Sequence, residues 1–340
     1  MKILVTGGLG YIGSHTVVEL QEQGYEVVVI DNLSNSERSV LDGIKAITGK
    51  SPAFYPIDLR DKAAVLSFFK QHSDIKGVIH FAASKAVGES VERPLFYYEN
   101  NIAALVYLLQ GIKKHGISHF IFSSSCTVYG QADELPITEY APLKKAESPY
   151  GNTKQIGERI LEDLSKIQEN FKAIALRYFN PIGAHPSVKI GELPIGVPQN
   201  LIPFITQTAI GKRKELAVFG DDYPTRDGTC IRDYIYVVDL ARAHVKALKR
   251  LLDEESDKAY EIFNLGTGEG SSVMEVIQAF EKTTGQKLPY QIAGRRAGDV
   301  TAAYADTRKA NEILNWTATH SLEDALASAW AWEKMMAQKK

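Results

Sequence analysis

Tyr150 and Lys154 stand four residues apart in the stretch Ser148-Pro149-Tyr150-Gly151-Asn152-Thr153-Lys154. On a helix that spacing puts both side chains on one face. A phenol with its ordinary pKa of about 10 is a poor base at neutral pH, and a cation beside it favours the phenolate. The pair could therefore take a proton from a hydroxyl. Taken alone the spacing is common, and a half-buried aromatic beside a solvated lysine is the plain alternative. The rest of the chain has to decide between them.

The elements that would position such a pair begin at the N-terminus. Residues 2 to 6 (KILVT) form an apolar strand ending in Gly7-Gly8-Leu9-Gly10-Tyr11-Ile12-Gly13, and helical periodicity follows from Ser14 to Gln23. Strand, glycine turn and helix is the setting a dinucleotide fingerprint needs. Gly7, Gly10 and Gly13 have GxxGxxG spacing, with Gly8 as a fourth glycine. They suit a tight turn, close backbone approach to a pyrophosphate and tight packing of helix on strand. A second strand, Glu26 to Ile30 (EVVVI), ends at Asp31, 18 positions after Gly13. A carboxylate there can bond the adenosine ribose hydroxyls and would repel a 2'-phosphate, which favours NAD over NADP. A cap or turn at Asp31-Asn32 is the alternative.

Strands over 53–57, ending at Asp58-Leu59, and over 77–81 (GVIHF), ending at Ala82-Ala83, alternate with helices over 36–48 and 62–72. This alternation implies a parallel sheet covered on both faces. Ligands of such sheets sit beyond the carboxyl ends of the strands, so Asp58, Phe81, Ala82, Ala83 and Lys85 are candidates to line a cofactor groove. A helix from 95 to 115 carries the stripe Ile102, Leu105, Leu108, Leu109, Ile112. A fifth strand over 120–123 runs into Ser123-Ser124-Ser125, which by themselves read as a solvated turn. A loop over 130–149, a helix over 150–164 and a sixth strand over 172–178 follow. Past Phe179-Asn180-Pro181 the alternation stops, and 183–198 is turn-rich. The boundary is therefore placed there: a Rossmann-type, doubly wound α/β domain over 1–180 and a smaller mixed α/β domain over 181–340. The strand over 232–237 and helix over 238–252 look apolar enough to return to the first domain, giving it 232–262. The smaller unit is expected to hold a helix over 200–210, strands over 216–219, 262–265 and 289–292, a helix over 273–283 and a last helix over 322–335.

The 340 residues allow two domains and a large core. Hydrophobic content of 44% and charged content of 24% are ordinary for a globular protein. A formal charge of -2 argues against a protein built to hold nucleic acid. Cys126 and Cys230 are the two cysteines, outside any CxxC, which disfavours a disulfide framework and favours a reducing compartment. No apolar run reaches the length of a membrane span, and the chain enters its first strand without room for a signal peptide, so a cytoplasmic protein is expected. The eight histidines are scattered without an HExxH; no metal is expected, and His80 reads as a packed core residue.

The motifs taken together resemble the extended short-chain dehydrogenase/reductases, in their UDP-hexose 4-epimerase branch. They are TGGLGYIGSH at 6–15, FAASKAVGES at 81–90, SSSCTVYG at 123–130, SPYGNTK at 148–154, LRYFNPIGAHPS at 176–187, DGTCIRDYIYVVDLA at 227–241 and GRRAGDVTAAYAD at 294–306. The resemblance implies NAD as a tightly held cofactor regenerated in each cycle, and reversible inversion at C4 of a UDP-hexose. By the same resemblance Tyr150 is the base, Lys154 binds the nicotinamide ribose and lowers the phenol's pKa, and Ser125, with Ser124 as the alternative, assists the proton. Gly7, Gly10, Tyr11, Ile12 and Gly13 match the pyrophosphate turn, Asp31 and Asn32 the adenosine ribose, and Asp58 and Leu59 the adenine region. Phe81, Ala82, Ala83, Lys85, Asn100, Ser123 and Tyr178 match residues near the cofactor. Lys85, Ser125, Tyr178, Phe179, Asn180, Asn200, Leu201, Leu216, Phe219, Arg232, Arg296, Asp299 and Ala303 match the sugar-nucleotide site. Arginines suit a diphosphate because a planar guanidinium bonds two oxygens at once.

Nucleotide-sugar 4,6-dehydratases need a further acid and base, usually Asp-Glu, after the strand-five hydroxyl. Cys126 and Thr127 stand there instead. A UDP-glucuronate 4-epimerase or decarboxylase stays open, as does an inactive NAD-sensing module, although the Ser125, Tyr150 and Lys154 set argues against the latter. Some relatives carry a tyrosine where this chain has Ala303, which implies space for UDP-GlcNAc and UDP-GalNAc; a one-residue slip would put Ala302 or Tyr304 there. The resemblance also implies a homodimer, pairing the 102–112 helix with the helix of Tyr150 through Ile156, Ile160 and Leu164. Covering the sheet is the other use of those faces.

Overall fold

The computed structural model describes residues 1–296 and 298–338; Ala297, inside the 294–306 motif, and the basic Lys339-Lys340 end lie outside it. The N-terminal half alternates β1 (Lys2–Thr6), α1 (Tyr11–Glu22), β2 (Glu26–Ile30), α2 (Val40–Thr48), β3 (Ala53–Tyr55), α3 (Lys62–Gln71) and β4 (Ile75–His80). It continues through α4 (Val87–Glu92), α5 (Pro94–Tyr98), α6 (Ala104–Lys114), β5 (His119–Ser125), α7 (Pro149–Ile167) and β6 (Lys172–Tyr178). β7 (Asn180–Ile182), α8 (Leu201–Ala209), β8 (Leu216–Phe219), β9 (Ile231–Arg232), β10 (Tyr234–Tyr236) and α9 (Val237–Leu252) come next. β11 (Tyr260–Leu265), β12 (Ser271–Ser272), α10 (Val273–Thr284), β13 (Tyr290–Ala293), β14 (Ala302–Ala303), α11 (Arg308–Ile313) and α12 (Leu322–Gln338) complete the chain.

Seven strands pair in the order β11-β6-β5-β4-β1-β2-β3, and every pairing is parallel. Because both faces are covered, the strands are apolar on both sides. Ile3 and Val5 enter the core beneath α1 and α9, while Leu4 enters the opposite core beneath α3, α6 and α7. The chain winds outward in both directions from β1 and β4, and the crevice between their carboxyl ends is where such sheets bind a ligand.

Two placements differ from expectation. The strand at 262–265 was assigned to the smaller unit, but β11 is the edge strand of the large sheet, paired with β6 from Tyr260↔Ala173 to Leu265↔Tyr178. Phe263 and Leu265 are buried in the α1/α9 core, which fixes it there. The strand over 232–237 does not return to that sheet; it breaks at Asp233 into β9 and β10. The fully buried Asp233 carboxylate accepts bonds from the backbone N–H groups of Thr267, Gly268 and Ala305 and from the Thr267 hydroxyl, drawing the segment towards those loops. β10 pairs with β7, and β9 with β12 and β14. The helix α9 does return, burying Leu240, Val245, Leu248 and Leu251 against α1 and the sheet.

The expected 95–115 helix is interrupted: Pro94 opens α5, and Glu99–Ala103 form a π-helical turn before α6. A separate core packs α8, α10 and α12 through Ile202, Ile205, Ile277, Phe280, Leu326 and Trp330. Among the described residues no helix is long and apolar enough to cross a membrane.

Candidate active site

Local sequence fixes where Tyr150 stands. The Ser148 hydroxyl caps α7, accepting from Gly151 N at 3.1 Å, and Pro149 fills the first helical position. Tyr150 therefore lies in the first turn and Lys154 one turn later, both buried, at 8% and 4% exposure. Lys154 Nζ donates to the Ser123 carbonyl at 2.6 Å, 5.8 Å from the Tyr150 ring centroid and 5.0 Å from that of Phe122. Burial dominates and pushes the phenol well up, a neighbouring Tyr178 adds to the rise, and the Ser125 hydroxyl pulls against it.

The three serines of β5 divide by the alternation of the strand. Ser123 shares a short hydrogen bond with the Tyr178 hydroxyl, and Ser125 is paired with Tyr178 in register. Ser124 points to the other face and donates to Glu158 Oε1 at 2.5 Å. Ser125 is thus the serine beside the phenol, and its Oγ accepts from the Thr127 backbone N–H and hydroxyl at 3.2 and 3.0 Å.

The glycine turn makes a cradle that a side chain would fill. Gly7 has φ +69°, and a methyl built on it would stand 2.7 Å from Ala82 N; one on Gly13 would stand 2.2 Å from Gly7 O. Gly10 opens α1 without a side-chain cap, so the first N–H groups of the helix face the crevice. Asp31 accepts from Leu9 N, Leu33 N and the Ser36 hydroxyl at 3.1, 2.9 and 2.8 Å, which places its carboxylate at the tip of β2 beside the turn. Asn32 donates to Asp58 at 3.2 Å, and the Arg60 guanidinium holds the Asp58 carboxyl down at about 2. Leu59 is buried in the α3/α6 core. Phe81 closes the inner wall against His244, 4.6 Å between ring centroids, with Ala82 and Ala83 next to it. A cradle closed to side chains, bare helical N–H groups and an acid at the ribose end fit NAD.

Lys85 lies 3.5 Å from Glu192 and 6.0 Å from the Tyr11 ring centroid; the Tyr11 hydroxyl donates to Gly183 O at 2.6 Å. Asn100 donates to Ser84 and Asn101 at 3.1 Å each. Ile12 packs between the two cores it borders. In the smaller unit, Asn200 stands just before α8 and gives its side-chain amide not to the helix end but to Glu192, at 2.7 Å, with Leu201 behind it. Arg232 and Arg296 share Asp299, at 3.5 and 2.8 Å, and Arg296 lies 5.7 Å from the centroid of the 41% exposed Phe219 ring. Asn180 begins β7, while Phe179 and Ala303 pack with Val128 and Tyr129. Leu216 turns its side chain into the smaller core, 2% exposed, so any contact with a ligand falls to its backbone.

Three side chains around the couple were not singled out in the sequence. Asn101, carried inward by the π turn, donates to Ser84 O at 2.9 Å and Thr153 Oγ1 at 3.0 Å, tying the loop after β4 to α7. Glu158 and Arg177 form a buried pair behind Ser124. A charged residue inside the apolar run 172–178, and an acid one turn after Lys154, are the signals that could have found that pair.

A doubly wound sheet with a glycine cradle at its switch point, an acid at the second strand and a tyrosine and lysine on the helix after the fifth define a dinucleotide-dependent α/β enzyme. The chain belongs to the NAD dependent epimerase/dehydratase family, whose profile matches residues 3–266. It is 53% identical over 333 residues to the UDP-glucose 4-epimerase of Bacillus subtilis (strain 168), spanning 98% of this chain and 97% of that relative. It is 49% identical over 339 residues to the UDP-glucose 4-epimerase of Mus musculus, spanning 98% and 96%. The solved UDP-glucose-4-epimerase from Stenotrophomonas maltophila, with bound NAD and formylated UDP-arabinopyranose, matches at a TM-score of 0.96 and 48% identity over 100% of both chains. The enzyme from Bifidobacterium longum in complex with NAD+ and UDP matches at 0.95 and 45%, again over 100% of both.

Proposed function

We propose that this chain is an NAD-dependent UDP-glucose 4-epimerase that interconverts UDP-galactose and UDP-glucose through a 4-keto sugar. The observation that carries the reading is the Tyr150, Lys154 and Ser125 set beside a cradle that fits NAD, with Cys126 and Thr127 where a dehydratase needs carboxylates. NAD, when bound, supplies a hydride acceptor that returns the same hydride, and a positive charge on its nicotinamide. Gly7, Gly10, Tyr11, Ile12 and Gly13 would hold its pyrophosphate, Asp31 and Asn32 its adenosine ribose, and Asp58 and Leu59 its adenine end. Phe81, Ala82, Ala83, Asn100, Ser123 and Tyr178 would wall the groove, and a cofactor enclosed in this way stays bound between cycles.

Tyr150 takes the C4 hydroxyl proton and later returns it, Ser125 hydrogen-bonds the same oxygen, and the charged Lys154 supports the phenolate. Arg232 and Arg296 grip the diphosphate, and the Phe219 face, Leu201 and the Leu216 backbone seat the uridine. Lys85, Tyr178, Phe179, Asn180 and Asn200 border the sugar, with Asp299 orienting both arginines. The nucleotide stays anchored while the hexose turns its other face.

Purified protein given UDP-galactose and no reductant should form UDP-glucose with no net NADH. Tyr150→Phe should lower turnover on the order of 10²- to 10⁴-fold with an unchanged far-UV spectrum. Bound NAD without turnover of any nucleotide sugar would overturn the reading in favour of a sensing module.

The proposal extends to two domains, 1–180 joined by the returning α9 and β11, and the remainder of 181–340, and to a cytoplasmic homodimer. Half-buried Val106, Tyr107, Ile156 and Ile160 on α6 and α7 support a face between copies, and the two free cysteines support a reducing compartment. Sedimentation at the mass of one chain would remove the dimer.

A further inference from the structure

One layer beneath the couple lie a carboxylate and a guanidinium that the reaction does not use. Glu158 follows Lys154 by one turn of α7, as Lys154 follows Tyr150, so the three line one face. Glu158 Oε1 accepts from the Ser124 hydroxyl at 2.5 Å and from Arg177 Nε at 2.8 Å, and Oε2 accepts from Arg177 Nη2 at 2.6 Å. Arg177 sits on β6 opposite Ser124 in register. Its Nη1 donates to the Tyr129 hydroxyl at 3.0 Å, which donates to Asn264 Oδ1 at 2.6 Å. Both side chains are almost wholly buried, at 3% and 6% exposure. A buried ion pair is seldom the most stable filling for a core, because two charges lose their water. A pair that also grips the middle serine of the run serving Tyr150 and Lys154 has a positional use.

The groups facing Lys154 leave its field to this pair. Tyr150 precedes it on α7, and β5 presents Phe122 and the Ser123 carbonyl. His80 on β4 is held down at about 3 by burial and so is neutral, and Tyr178 on β6 is pushed up to about 12 by burial. The charge that acts on Lys154 is the Glu158 carboxylate, and Arg177 bears on it through its pairing with that carboxylate.

We propose that Glu158 and Arg177 are positioning residues for the catalytic couple: the pair clamps the Ser124 end of β5 to α7, and the Glu158 carboxylate helps keep Lys154 in its charged form. Burial draws the Lys154 ammonium down to about 8, and Glu158 is the group that pushes back. The alkaline limb of turnover, where Lys154 loses its proton, then depends on a residue that touches neither substrate nor cofactor.

The inference rests on the epimerase reading, and the test separates the two. The pH dependence of kcat with UDP-galactose is measured for the wild type, Glu158→Gln, Arg177→Met and Ser124→Ala, with a melting curve for each. Glu158→Gln leaves Arg177 uncompensated and should move the alkaline limb towards acid by about one pH unit; Arg177→Met should move it the other way. Ser124→Ala keeps both charges and loses one hydrogen bond. It should fold and lower kcat about fivefold, with KM and the limb unmoved. If the charge variants do not fold, the Ser124→Ala split between kcat and KM decides. Variants that melt early with wild-type limbs, or Ser124→Ala with wild-type kcat, make the pair structural only and overturn the proposal. An inactive wild type overturns the epimerase reading and the pair's role together.

Discussion

A phenol four residues before a lysine suggests a base activated by its neighbour, and the side chains give that lysine a second task. Lys154 spends its shortest contact on the Ser123 carbonyl, so it fixes the end of β5 as well as carrying charge. Burial pushes the phenol up, and the positive charge of Lys154 and of a bound nicotinamide would act against that rise. Specificity is proposed to turn on one residue as well. Ala303 lies on β14, in register with Arg232 of β9, and only 8% of its surface is exposed. It packs with Val128, Tyr129 and Phe179, so a phenol grown from this position would take up space that the alanine leaves. Ala303→Tyr should abolish turnover of UDP-GlcNAc and UDP-GalNAc and leave UDP-galactose within about threefold, since a clash with an N-acetyl group is lost from one substrate class alone. Equal losses on both substrates, measured as kcat/KM, would sink the idea and move attention to Ala302 or Tyr304.

Most elements up to residue 180 were legible because their strands are short continuous apolar runs and their helices repeat apolar positions every three to four residues, whereas α4 and the π turn between α5 and α6 were not. β2, β6 and β8 match expectation to the residue. The two-residue strands β12 and β14 were not legible: each exists through pairing with β9, far away in sequence, and not through any pattern of its own. β11 was misplaced because its run looks the same whichever sheet receives it, and only its packing against β6 decides. The glycine turn was readable as spacing, yet its purpose shows in three dimensions. A methyl on Gly13 would meet Gly7 O at 2.2 Å, so α1 would have to lift away from β1. Gly13→Ala should therefore lower stability by about 1 to 3 kcal/mol, the usual range for overpacking, and strip NAD from the purified protein. Cofactor content after gel filtration, read with a urea melt, checks both; a variant that retains stoichiometric NAD contradicts the cradle assignment.

At the scale of the whole molecule, the cores keep three imidazoles from water, and this makes the fold acid-sensitive. His15 on α1 and His80 on β4 are held down at about 3, and His244 on α9 at about 4, in each case chiefly by burial. Sequence could flag His80 as a core residue from its place in an apolar strand, but not that all three would be enclosed, since α1 and α9 come together only when the sheet forms. In the unfolded chain each would titrate near 6.5. Between that value and the folded one, the unfolded state binds more protons, so stability falls as pH drops and is recovered as pH rises towards neutrality. Each histidine contributes a slope of about 1.4 kcal/mol per pH unit, and the three together about 4. At pH 5 the accumulated loss is roughly 6 kcal/mol, comparable with the entire stability of many domains. Glu19 and Asp233 are pushed up by burial and act in the opposite sense, offsetting part of this loss as pH falls through their raised values. Urea unfolding between pH 7.5 and 5.5 should thus show a free energy nearly flat above pH 7 and falling steeply below 6, with proton uptake approaching three per chain. A flat profile down to pH 5.5 would mean that these imidazoles are not enclosed as neutral groups, and with that the packing of α1 and α9 behind the cofactor crevice would have to be redrawn.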